Sequence, residues 1–141
     1  MDLTMQARAI RTAKELLEFL RSADYRRGNI EQVLVILRDY NLTAEEIGAT
    51  DSELRIIHRN SLVAIIADEI DELRVGNAGP CPEKLLIILA RKLGVLNKLL
   101  RDDGLEEQSW SDFGTSLEEL ERLIAPALKR RLERISEEDK D

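Results

Sequence analysis

The sequence predicts an all-α chain: a single-domain bundle of about six helices, with a short third helix and a long central fourth one. Three observations predict it. Apolar residues recur at helical spacing, capping signatures stand where that spacing begins, and strand signals are weak. The β-branched residues sit among Leu, Glu and Arg, and no Asn-Gly or Asp-Gly turn joins two alternating runs.

The first helix spans about Leu3 to Arg21, where Leu3, Ile10, Ala13, Leu17 and Leu20 share a face. Four later starts carry a capping side chain three residues ahead of Glu or Gln: Asn29 with Gln32, Thr43 with Glu46, Thr50 with Glu53 and Ser116 with Glu119. That spacing lets a side-chain oxygen accept an otherwise orphaned backbone N–H of the first turn. The helices that follow are Ile30–Tyr40, a short Ala44–Ala49, Asp51–Arg74 and Leu117–Ile135. Pro82 opens another over Glu83–Arg101, because proline at the first helical position loses no hydrogen bond. Gly94 within that helix costs about 1 kcal/mol relative to alanine and marks either close packing or a bend. Pro126 removes the bond to the Arg122 carbonyl and predicts a kink. No repeat is expected at a solenoid period.

At 141 residues the chain fits one domain, which buries roughly two-thirds of its unfolded surface. The domain is expected over residues 1–136, and residues 137–141 form an acidic tail expected to fray. A single cysteine, Cys81, excludes an internal disulfide, and one histidine leaves too few soft ligands for structural zinc. An intracellular, cytoplasmic setting fits. The N-terminus interrupts its apolar residues with Asp2, Arg8, Arg11 and Lys14, unlike a signal peptide, and no run nears the ~20 apolar residues of a membrane span.

The net charge of −7 argues against a partner held by bulk electrostatics, whether duplex DNA or an anionic membrane. Basic clusters exist locally: Arg8, Arg11, Lys14, Arg21, Arg26 and Arg27 early, and Lys129, Arg130, Arg131 and Arg134 late. In a chain that is 35% charged these read first as solvated faces paired with nearby carboxylates, and second as a nucleic-acid surface.

The central helix gathers most of the candidate chemistry. Leu54, Ile57, Leu62, Ile65 and Ile66 form a stripe that Ile56, Val63, Ile70 and Leu73 widen, so the helix is expected to be buried on more than one side. Asp68, Asp71 and Glu72 share helical faces as metal ligands do. The all-helical nucleotide pyrophosphohydrolases pair such residues with carboxylates on a neighbouring helix, and here only Glu83 is offered, so no metal or other cofactor is expected.

His58, Arg59 and Asn60 form the other polar cluster. The text HRNSLVAI resembles the phosphoacceptor region of some histidine kinases, which implies a phosphotransfer role for His58; no acidic residue directly follows that histidine. Arg59-Asn60 resembles the opening of the Arg-to-His motif of HEPN ribonucleases, whose histidine would fall on Ala64. TAEEIGA with the next helix resembles a helix-turn-helix that would offer Arg55, His58, Arg59 and Asn60 to DNA, with a shorter connection than that motif uses. The plainer reading makes His58 and Asn60 polar edges of a helical core.

Two long connections remain. VGNAGPCP is a rigid turn that places Cys81 at a helix start; a nucleophile there would also need a base. GLEEQSWSDFGTS carries Trp110 and Phe113, which either dock on the core or meet a partner. The expected function is therefore a non-catalytic protein-interaction or regulatory module, of adaptor, inhibitor or assembly-factor type. It would act through helical surfaces and the Trp110/Phe113 loop. The apolar spacing of the first helix adds the expectation of a homodimer.

Overall fold

A computed structural model describes residues 3–22 and 30–138. The all-α expectation holds: the described residues form five α-helices and no strand. The helices are α1 (Leu3–Ser22), α2 (Ile30–Asp39), α3 (Asp51–Arg74), α4 (Pro82–Asp102) and α5 (Leu117–Glu138). None is long and apolar enough to cross a membrane.

Five helices replace the six expected, because the short third helix is a single 3₁₀ turn, Glu45–Ile47. Its bonds run over three residues, from Ile47 N–H to the Ala44 carbonyl and from Gly48 N–H to the Glu45 carbonyl, at 3.0 Å each. Gly48 then adopts φ 77°, a left-handed conformation that stops the helix and that glycine enters without Cβ strain. A second 3₁₀ turn, Trp110–Phe113, occupies the connection expected as a loop, and Gly114 ends it at φ 71°.

The expected caps form where the residues are described. Glu53 N–H donates to Thr50 Oγ1 at 3.0 Å and Glu119 N–H to Ser116 Oγ at 3.1 Å. The cap assigned to Asn29 lies outside the described residues, as do residues 139–141 of the acidic tail. Helix α5 runs through Ser136, Glu137 and Glu138 and is unbroken across Pro126, which is exposed. Helix α4 is equally unbroken at Gly94. A Cβ there would meet no atom within 4 Å, so neither close packing nor a break explains this glycine.

The chain divides into two compact units, Met1–Ile65 and Ile66–Asp141, with the boundary inside α3. In the first unit Ala13, Leu17 and Leu20 of α1, Ile30 and Val33 of α2, Ile47 of the turn, and Leu54 and Ile57 of α3 form one core cluster. Helices α1 and α2 are antiparallel, since Leu16 lies by Glu31 and Val35 while Met5 lies by Ile36 and Tyr40. Of the expected α1 stripe, Ala13, Leu17 and Leu20 thus face the unit's own core, while Ile10 is half-buried and Leu3 exposed. In the second unit Ile66, Ile70 and Leu73 of α3, Leu89 and Leu96 of α4, and Leu120 and Ile124 of α5 are buried.

Candidate functional site

Both units are locked by the same device, an arginine at the end of one helix that grips the turn and the cap of another. In the first unit Arg21 Nη2 donates to the Gly48 carbonyl at 2.9 Å, and its guanidinium meets Glu53 at 2.6 and 2.9 Å. In the second Arg74 Nη2 donates to the Gly114 carbonyl at 2.7 Å, and Nε meets Glu119 at 3.0 Å. Each arginine also pairs with a carboxylate three residues earlier, Glu18 or Asp71. The fork suits this geometry because it can hold a carboxylate and a carbonyl at once. These bonds hold the Arg21 guanidinium charged and pull the Glu53 and Glu119 carboxyls below the usual range.

The correspondence continues bond for bond through the turns. Thr43 N–H donates to Glu46 Oε1 at 3.1 Å, and Ser109 N–H to Asp112 Oδ2 at 2.7 Å. Ala49 N–H reaches the Ala44 carbonyl at 3.0 Å, and Thr115 N–H the Trp110 carbonyl at 3.1 Å. Before the turns, Leu42 N–H reaches Leu37 O and Leu105 N–H reaches Leu100 O, both at 2.8 Å, around a left-handed Asn41 and Gly104. The sequence carries the match: LRDYNL and LRDDGL, then TAEEIGATDSEL and SWSDFGTSLEEL, with Glu106, Glu107 and Gln108 inserted in the second copy. Asn97 braces that insertion, accepting Gln108 N–H at 2.7 Å and donating to the Gln108 carbonyl at 2.9 Å. The two units thus repeat one pattern of helix end, turn and cap, and α3 carries the cap of the first and the arginine of the second.

Arg21, Arg74 and the repeated turn pattern have no constant period in the sequence, since the insertion and the greater length of α4 shift the spacing between its two occurrences. The signal was present in the LRDxxL pair and in the two turn segments.

The expected site residues occupy different surroundings. His58 and Arg59 are half-buried and Asn60 is exposed. Burial pushes the His58 imidazole below its usual pKa, partly offset by the carboxylate of Glu31 on α2. Arg55 is also half-buried. Trp110 and Phe113 are both half-buried, so each ring keeps part of its surface exposed. The late basic cluster separates by role. Arg131 pairs with Glu83 across α4 and α5, whereas Arg130 and Arg134 line a polar hollow with Glu133 and Glu137 on exposed turns of α5, and Lys129 is exposed. Arg26 and Arg27 lie outside the described residues.

The acidic residues of α3 are engaged locally: Glu69 with Lys92, Glu72 with Asn77 at 2.6 Å and Asp71 with Arg74. Among the described residues no group of His, Cys, Asp and Glu converges as metal ligands do. Cys81 is half-buried at the cap of α4, ahead of the buried Pro82. Ile70 and Leu73 are buried as the wide stripe of α3 predicts, but Ile56 and Val63 are exposed, so α3 is buried on a narrower face than expected.

An open apolar surface lies in the first unit. Thr12 and Leu16 of α1 with Val35 and Ile36 of α2 line a hollow. A second hollow adjoins it, sharing Thr12 and Ile36 and ending at Met5, Arg8 and Tyr40. Together they make one groove between α1 and α2, with Arg8 at one end and Glu31 at the other. Val35 is 41% exposed on its rim. Leu16 and Ile36 are half-buried and also pack against the unit's own core, whereas Thr12 and Val35 are exposed. No protein-family model matches this chain, and no curated protein or solved structure matches it significantly.

Proposed function

We propose that the chain is a non-catalytic protein-interaction module of regulatory or adaptor type, and that it works through the α1–α2 groove of its first unit. The observation that supports this reading is the groove itself, where Thr12 and Val35 are exposed and Leu16 and Ile36 keep part of their surface uncovered. Apolar surface left open to water raises the free energy of the isolated chain relative to a complex that covers it. The half-buried Trp110 and Phe113 supply a second apolar surface on the other unit.

The test is capture of partners by tagged protein from its native host, comparing wild type with Ile36→Asp and Trp110→Ala after circular dichroism has shown both variants folded. A partner lost with Ile36→Asp supports the groove. Loss only with Trp110→Ala transfers the role to the second unit's loop. Equal retention by all three proteins would overturn the assignment of binding to either surface.

A further inference from the structure

We infer that the α1–α2 groove seats the same groove of a second copy of this chain, the two related by a two-fold axis through Thr12 and Ile36. The inference rests on reading the groove as a docking surface and adds the identity of its occupant. Charge placement carries it. Arg8 stands at one end and Glu31 at the other, with Thr12 and Ile36 common to both halves. Residues 8 to 16 span about 12 Å of α1 at the helical rise of 1.5 Å per residue. A two-fold axis at the midpoint reverses the second groove end for end. Arg8 of each copy then shares an end of the joint groove with Glu31 of the other, while a parallel arrangement would set like charges together.

Shape agrees with charge. An antiparallel pair of helices doubled by a two-fold axis makes a four-helix layer, with Leu16, Val35 and Ile36 of each copy as the apolar residues of the shared face and Arg8 and Glu31 at its ends. The unit's own α1 stripe of Ala13, Leu17 and Leu20 is consumed internally, so the dimer uses the strip of α1 beside it, the exposed Thr12 and the half-buried Leu16. Helix α2 has only ten residues, about 15 Å, so the shared face is small and the expected Kd is micromolar.

The experiment is multi-angle light scattering with sedimentation equilibrium on the full chain from 1 to 300 μM, at pH 8 so that His58, which lies near Glu31, stays neutral. Wild type should move from monomer to dimer within that range. Arg8→Glu and Glu31→Arg, both exposed changes, should each raise Kd about tenfold or more, and the double variant should restore it, since the reversed charges again meet across the axis. Ile36→Asp should abolish dimerisation. Wild type that stays monomeric at 300 μM would overturn the inference. In that case a foreign partner lost with Ile36→Asp leaves the groove reading standing. A dimer indifferent to Ile36→Asp and to both reversals would overturn the inference and assign self-association to another surface.

Discussion

Arg21 and Arg74 each join a helix end, a left-handed glycine carbonyl and a cap glutamate through one side chain, and the chemistry of these residues makes stability depend on pH. Glu53 and Glu119 have folded pKa values below the usual 4.5. Their stabilisation is complete above that value and is lost as pH falls through the lower folded value, because the unfolded chain takes up the protons first. His58 acts in the same direction by a different cause. Burial lowers its pKa below 6.5, so the unfolded state is the stronger base and stability begins to fall as pH drops below that value. The expected result is a decline in two ranges, one beginning near pH 6.5 and one below pH 4.5. Urea midpoints measured from pH 8 to pH 3 check it. His58→Gln should remove the upper decline and leave the lower one, and an unchanged profile in that variant would refute the assignment.

At the scale of elements, the helix starts were legible because caps are local: Thr50 and Ser116 bond the very N–H groups that their spacing implies. The short third helix was misjudged because capping residues signal where a helix begins and not how far it continues. Thr43 caps a turn that Gly48 ends after a single 3₁₀ winding. Glycine in α4 is a different matter. Gly94 has a helical backbone, is exposed, and leaves open space where a Cβ would stand. Gly94→Ala should therefore stabilise the protein by up to about 1 kcal/mol, through lower unfolded-state entropy and better helix propensity. Thermal and urea denaturation check the sign. A destabilised variant would show that this glycine serves a contact made outside the single chain.

Across the whole molecule, the division into two compact units predicts that the first can fold by itself. The core cluster of the first unit draws all its members from residues between Ala13 and Ile57. A fragment of residues 1–65 should retain helical circular dichroism and unfold cooperatively, although with a low midpoint for a domain of that size. A fragment without a cooperative transition would show that the first unit depends on residues 66–141 for its fold. Trp110, the only tryptophan, reports on the second unit, so its fluorescence transition in the full chain can be compared with the helical signal of both. Coincident transitions would mean that α3 couples the units into one cooperative system; separated ones, that each melts by itself.

The sequence by itself determined the helical class, five of the helix positions within a few residues, and the caps at Thr43, Thr50 and Ser116, because periodicity and capping are set by neighbours in the chain. It also contained the repeated turn pattern, in LRDYNL with LRDDGL and in the paired turn segments. Only the tertiary structure decided which side of each helix meets the core. Ile10, Ala13, Leu17 and Leu20 and the residues Met5, Thr12 and Leu16 lie on different sides of the same α1. Which of them folding covers depends on α2 and α3, contacts that spacing along one helix does not specify. The same holds for Arg21 and Arg74, whose partners lie on other helices and exist as a grip only once those helices are packed.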